Sequence, residues 1–513
     1  MRTLGSNRGG AVDPDLEPLR PAPALTPSRP SWRGRRARGG GWAGLMPTVD
    51  DFFGTSSQVC GGFWPFGTDM ALPVEGVPVG RSMMTGAGVC CDPISWFRAG
   101  IIEQPSMFVM GLPAIGKSTF VRRQEWGLAA LGANAIIPGD LKPDYADLTR
   151  LLGGQVIRLG SGLGSVNPLD PGDVHRVLPR LTGRLHDDLL ADYNERRAAL
   201  LEVLLTIART GRTEGGRTVS DVESNVLSTA LKLLYDRTRD WPTPPLVSDL
   251  RDLIRDAPPE VRAAAVFDAP EDDEAVAAAT RDLLASMHGL SNRMGRFGRL
   301  FSEQTTESVD LTRPVDFDIS SLAQAGDDVV AAVLAATWSS AFAAKNAADM
   351  LAEAGLAPRR NNVIILDEMH RALRASPLMV DRLDLLTRLN RQWGVGQVMV
   401  THTFADLLCL GTDAQNAKAR GFVERSKIKV LGALSRTEID RYLRRESGLP
   451  ISMREEDLLA DWGTPTNFAA GASFKGVGKF LIKLGGLPGI PIDVQMCAIE
   501  RSGFNDTNRK WER

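Results

Sequence analysis

The feature that most constrains this chain is the run MFVMGLPAIGKSTF at residues 107–120. An apolar stretch, Met107 to Met110, leads into Gly111, Leu112, Pro113, Ala114, Ile115, Gly116, Lys117 and Ser118. Thr119 and the helical pattern of Val121–Leu131 follow. Gly111 and Gly116 permit backbone conformations that turn successive N–H groups toward one concavity, and the helix N-terminus adds its positive dipole end. Lys117 is placed to reach the β and γ phosphates of a nucleotide, and Ser118 to give its hydroxyl to Mg2+. Residues 111–119 are therefore read as a phosphate-binding loop. The pattern commits this part of the chain to an α/β sheet with a pocket for ATP or GTP at a strand end.

A second element, NNVIILDEMHRAL at 361–373, is an apolar strand ending in two acids. Asp367 at the strand's carboxyl edge can hold the Mg2+ shell through water, and Glu368 is placed to polarise the attacking water. A third, QVMVTHTFADL at 397–407, puts Thr401 and His402 at the tip of another strand. In related nucleotide-binding sheets a polar residue there senses the γ-phosphate. His402 is either that sensor or a histidine satisfied at a strand end. The sequence leaves both open.

Further short apolar runs, each bounded by turn residues, fall at Ala135–Ile137, Val156–Leu159, Val315–Ile319, Ile428–Leu431, Phe480–Leu484 and Ile492–Met496. They lack strict alternation and favour Val and Ile, as strands covered on both faces do. Helical segments separate several of them, so a mainly parallel, doubly wound sheet is expected. Between about His175 and Phe301 the pattern turns helical, with Leu three and four apart and later helices at Val222–Tyr235, Leu246–Asp256 and Ala275–His288. This reads as an all-helical insertion, and it accounts for the long interval between Lys117 and Asp367. Val329–Ala344 is the most apolar stretch. It is shorter than the ~20 residues a bilayer needs and is broken by Thr337, Ser339 and Ser340, so it is expected to be a buried helix.

Composition adds exclusions. Lys and Arg number 60 against 62 Asp and Glu, so no global basic field marks a nucleic-acid binder, and DNA contact must be local. Five Cys in 513 residues argue against a disulfide scaffold and for a reducing compartment. Residues 1–45 hold eight Arg, no Lys and three acids among many Gly and Pro. With no apolar core to a leader, this is not a signal peptide and is expected to be a disordered tail. It is either a basic arm for nucleic acid or anionic lipid, or a solvated extension ahead of a start at Met46.

Together these stretches resemble the large VirB/TraC-like ATPase of conjugative type IV secretion, within the HerA–FtsK group of motor ATPases. The resemblance spans about residues 60–500. It is carried by FWPFGTDMALPVEGVPVGRS (63–82), GDLKPDYADLTRLLGGQVIRLGSGLGSVNPLD (139–170), GRFGRLFSEQTTESVDLTRPVDFDISSL (295–322) and GKFLIKLGGLPGIPIDVQM (478–496), besides the elements above. The 139–170 block, with its Asn167-Pro168-Leu169-Asp170, separates this family from other phosphate-loop ATPases. The chain departs from the family in three ways. It has only about 60 residues before the matched stretch, which leaves channel docking to a partner; Asp144 replaces a Glu; and His402 replaces a Gln. The compact form resembles ATP-binding proteins of actinobacterial mobile elements.

The resemblance implies a RecA-like P-loop NTPase with ATP and Mg2+ as ligands. Its expected parts are a tail (1–45), a first ATPase segment (46–174), a helical insertion (175–300), a second ATPase segment with C-terminal strands (301–500) and a polar tail (501–513). It also implies a hexameric ring in the cytoplasm, at the inner face of the membrane through partners, moving DNA or protein with channel components. Rings of this group place an arginine shortly before the strand with the polar tip. Within RLNRQWGVGQVMVTH the first choice is Arg391, then Arg388, with Arg425 third; each is otherwise a solvated surface arginine. The alternatives are a soluble DNA-pumping translocase of the HerA/FtsK type and a nucleotide-dependent assembly scaffold.

Overall fold

The computed structural model describes residues 73–503, apart from 161, 210–217, 240, 370–372, 374–393, 408–412 and 467–473, together with residues 35–36 and 42–43. The chain divides into two units, Met1–Met70 and Ala71–Arg513. In the first, β1 (Arg35–Arg36) pairs antiparallel with β2 (Trp42–Ala43). The rest of the expected tail, and residues 504–513 of the polar C-terminus, lie outside the described residues.

The second unit is built on one eleven-stranded sheet. Its strands are β3 (Pro78–Ser82), β4 (Gly88–Cys90), β5 (Ser106–Met110), β6 (Ala133–Asp140), β7 (Gln155–Arg158), β8 (Val315–Asp318), β9 (Asn361–Leu366), β10 (Val395–Thr401), β11 (Ile428–Leu431), β12 (Lys479–Leu484) and β13 (Ile490–Asp493). They lie in the order β4-β3-β13-β12-β11-β5-β10-β9-β6-β8-β7. From β11 to β7 every neighbouring pair is parallel, and from β11 to β4 every pair is antiparallel. All five residues of β5 and all seven of β10 are buried, which is why these strands read as unbroken apolar runs. Burying one side chain such as Phe108 or Met399 contributes about 1.5–3 kcal/mol, and both are fully enclosed.

The structure departs from the sequence reading at several strands, and β6 runs over Ala133–Asp140 where Ala135–Ile137 was expected. β10 starts at Val395, ahead of Val398, because Gly396 faces the helix Pro93–Arg98 so closely that a Cβ would lie 2.7 Å from Ile94 Cγ1. A glycine needed for close packing had hidden the start of an apolar strand. β13 runs over Ile490–Asp493 and stops where expectation placed its middle, since Asp493 pairs with Arg81 while the Val494 amide turns to the Gly478 carbonyl. β3 and β4 had no apolar run to show them. They are short edge strands with a register shift, and only Val79, Ser82 and Val89 face inward.

The helical segment comprises Arg184–Arg209, Asp221–Thr238, Val247–Asp256, Pro259–Ala265 and Asp273–Ser291, after a short turn at Val174–Val177. Most of its buried Leu and Val side chains are continuous with the sheet's core, whereas Val174, Val177, Leu178, Leu181 and Leu189 pack in a separate cluster with Tyr193 and Ala347. Ser220 and Glu223 start the second helix with a reciprocal capping box. The apolar stretch is a 27-residue helix, Asp327–Glu353. By length and composition it could cross a membrane, but 72% of its apolar window is buried, against β6 and the helix Arg184–Arg209. Gly139 of β6 lets it approach, because a Cβ there would meet Leu334 Cδ2 at 2.1 Å.

Candidate active site

Parallel strands carry their loops at one edge, and β5, β10 and β9 are direct neighbours. The phosphate loop leaves β5, Thr401 and His402 end β10, and Asp367–Glu368 follow β9. Three segments far apart in sequence therefore meet at one sheet edge, where ligands bind in open α/β sheets.

The loop's shape is built from both sides. Gly116 caps the helix Lys117–Ala130 at φ 97°, a left-handed conformation that favours glycine. A Cβ at Gly111 would sit 2.3 Å from Ile115 Cδ1 and 3.1 Å from Gly432 Cα, so a side chain there would force Ile115 to shift. Ala114 is also left-handed, at φ 65°. The Leu112 amide donates to the Ala433 carbonyl at 2.9 Å and the Gly478 amide to the Ile115 carbonyl at 3.0 Å, so loops after β11 and before β12 brace the turn. Pro113 and Ala114 are exposed at its crest, Ile115 is buried beneath, and Ser118 and Thr119 are half-buried on the first helical turn.

The ammonium of Lys117 is buried. It donates to the Gly111 carbonyl at 2.6 Å, to the Leu112 carbonyl at 3.0 Å and to His402 Nδ1 at 2.9 Å. Because a lysine only donates, His402 Nδ1 accepts, and its proton sits on Nε2. That Nε2 lies 2.9 Å from Glu368 Oε1. A continuous link thus runs from Lys117 through His402 to Glu368. Burial lowers Lys117 to about 8, and the charges of Asp367 and Glu368 oppose that fall.

The acidic pair is gripped from a direction the sequence reading had not assigned. Lys142, in the loop after β6, forms an ion pair with Glu368 Oε1, and the Tyr145 hydroxyl donates to Asp367 Oδ2 at 2.9 Å. Burial raises the Glu368 carboxyl, but the hydrogen bonds from His402 and Lys142 outweigh it and hold the group well below the usual carboxylate range. Burial and the adjacent Glu368 charge raise Asp367, against hydrogen bonds from Tyr145 and the Glu368 amide. Glu368 itself adopts φ 48°, uncommon for a residue with a Cβ and of a kind found at functional sites. The signal for Lys142 and Tyr145 was present in the 139–170 block, as polar and aromatic residues directly after a strand. Only strand order could show which acids they meet.

Elsewhere in that block, Asn167 Nδ2 donates to the Pro245 carbonyl and its Oδ1 accepts from the Leu169 amide, tying the exit of β7 to the helical segment. Asp144 stands 3.9 Å from the buried Arg122. Arg391 and Arg388 lie outside the described residues. Arg425 ends the helix Asp413–Arg425, and its carbonyl accepts from Ser106 Oγ at the opposite end of β5 from the phosphate loop.

Among solved structures, VirB4 of Thermoanaerobacter pseudethanolicus superposes on this chain with a TM-score of 0.59 at 20% identity, over 84% of this chain and 99% of VirB4. In fold, the chain is similar to VirB4. This is the family the sequence resembles, and the likeness extends over nearly the whole of the VirB4 chain. With the eleven-stranded sheet it makes the fold class α/β, RecA-like, of the P-loop type. The bacterial conjugative coupling protein TrwB, in its ΔN70 form with sulphate, matches with a TM-score of 0.44 at 12% identity, over 76% of this chain and 86% of that one. The plasmid coupling protein TrwB with the non-hydrolysable ATP analogue ADPNP matches at 0.43 and 12%, over 76% and 85%. No protein-family model and no curated protein matches the chain.

Proposed function

We propose that this chain is an ATP-hydrolysing motor that energises conjugative type IV secretion, of DNA or protein, as a hexameric ring. The observation that carries the reading is the link from Lys117 through His402 to Glu368, which brings a phosphate-binding cation, a γ-phosphate sensor and a base to the tips of three adjacent strands. Its secretion context rests on the sequence resemblance and on the VirB4-like fold.

In this reading the amides of residues 111–119 cradle the phosphates, and Lys117 exchanges its carbonyl partners for the β and γ oxygens. Glu368 takes the proton of the attacking water, and His402 relays the state of the γ-phosphate from Lys117 to Glu368. Ser118 and Asp367 are hard oxygen donors, the set that Mg2+ uses beside substrate phosphates and water, so the residues present fit that ion. Mg2+ held there neutralises the charge on the β and γ phosphates. The second cation for the developing charge is Arg391 of a neighbouring subunit in the ring. Partners are then channel components and the transported DNA or protein. The motor works on the cytoplasmic side and reaches the membrane through those partners.

Steady-state phosphate release and binding of a fluorescent ATP analogue test this. Lys117→Ala abolishes hydrolysis and weakens binding, whereas Glu368→Gln binds ATP without turning it over. Turnover by Glu368→Gln at the parent rate removes Glu368 from the mechanism, and full nucleotide affinity in Lys117→Ala overturns the pocket. In cells, loss of plasmid transfer with Glu368→Gln tests the secretion role.

A further inference from the structure

We propose that Lys142 is a positioning residue that holds Glu368 out of its water-activating role, so that its departure sets when hydrolysis proceeds. The inference rests on the reading of Glu368 as the base.

The loop that carries Lys142 is fixed by the buried Asp140 at the end of β6. Its carboxylate accepts the backbone N–H groups of Lys142 at 3.2 Å, Asp144 at 3.1 Å and Tyr145 at 2.9 Å. Three amides on one carboxylate pin the turn Leu141–Tyr145 against the tip of β9, the neighbouring strand. Two side chains then reach across to the acidic pair, Tyr145 to Asp367 and Lys142 to Glu368.

The Lys142 and His402 contacts fall on the same atom, Glu368 Oε1. A carboxylate oxygen has two lone-pair directions. While a cation and an imidazole N–H occupy both, that oxygen cannot take a proton from water. For Oε1 itself to act as the acceptor, one donor has to leave. His402 is held on its far side by Lys117, at the root of the phosphate loop. Lys142 has a flexible four-carbon stem, and its side chain is 57% exposed where that of Glu368 is 10% exposed. Lys142 is therefore the donor that can swing away, toward solvent or an incoming negative group, while Glu368 stays in place.

The test is kcat and KM for ATP with the full-length protein and its Lys142→Met, Lys142→Gln and Lys142→Arg variants. Removing the ammonium raises kcat about three- to tenfold with KM for ATP little changed, because the released base acts after binding. Lys142→Arg restores a cation and brings kcat back toward the parent value. Lys142→Gln is the second neutral variant should Lys142→Met fail to fold. A parent that hydrolyses ATP while both neutral variants keep or lower kcat overturns the inference alone, and a fall would make Lys142 a phosphate-facing cation. Absence of hydrolysis in the parent and every variant overturns the ATPase reading, and this inference with it.

Discussion

The Tyr145 hydroxyl donates to Asp367 Oδ2 across 2.9 Å, joining the turn after β6 to the acidic tip of β9. Tyr145 is fully buried, so its ring is held by packing and its hydroxyl has a fixed aim. A carboxylate oriented in this way by a rigid neighbour is a better partner for a metal ion.

Tyr145→Phe removes that bond and keeps the ring. In an ATPase assay titrated with Mg2+, the half-saturating concentration rises, by about tenfold if Asp367 behaves as other supported metal ligands do. An unchanged Mg2+ requirement would show that Asp367 needs no such support.

A buried acidic cluster beneath the site makes stability depend on pH. Burial pushes Glu125 up to about 8 and Asp140 up to about 7, and raises Asp316 well above its ordinary value. Glu125 Oε2 and both Asp316 oxygens have no hydrogen-bond partner among the described residues. Folded-state values raised above the unfolded ones mean that the folded chain keeps protons the unfolded chain releases. Stability contributed by these protonated carboxyls is complete below about pH 4. It is lost as pH rises to about 8. The melting temperature at pH 6 should exceed that at pH 9, and Glu125→Gln should flatten the dependence. A melting temperature independent of pH over that range would contradict it.

In the helical segment, Glu223 accepts two bonds from the Arg209 guanidinium, at 3.0 and 2.6 Å, and also completes the capping box of its own helix. Both side chains are nearly buried. Glu223→Ala leaves a guanidinium buried without its charge partner and should cost about 3–5 kcal/mol. Urea unfolding followed by circular dichroism measures this. A loss below about 1 kcal/mol, the worth of a surface pair, would mean that water reaches Arg209.

Ring assembly predicts that specific activity rises with protein concentration. Arg391→Ala should bind ATP yet hydrolyse it slowly, by a factor of up to about 10³–10⁵ if it acts as a full arginine finger. Mixing Arg391→Ala with Lys117→Ala should regain some activity through mixed interfaces. Activity independent of concentration, in a protein that sediments as a monomer, would exclude the ring.

The elements legible in the sequence were those whose function is local. A glycine-lysine loop of this kind needs its residues within a short stretch, and a strand buried on both faces needs a continuous apolar run, so β5, β9 and β11 were readable as strands. β3 and β4 were not, because a short antiparallel edge buries too few side chains to leave a pattern. Gly396 concealed the start of β10 for the opposite reason: a Cβ there would crowd the Ile94 side chain.

The sequence by itself determined that a glycine-lysine loop after an apolar strand, an acidic strand end and a polar strand tip are present, because each is a property of consecutive residues. Their meeting was decided by tertiary structure alone. Placing β10 between β5 and β9 puts His402 between Lys117 and Glu368, and placing β6 beside β9 brings Lys142 and Tyr145 onto the acidic pair. Strand order is set by how long-range apolar faces pack, and no local spacing of residues encodes it.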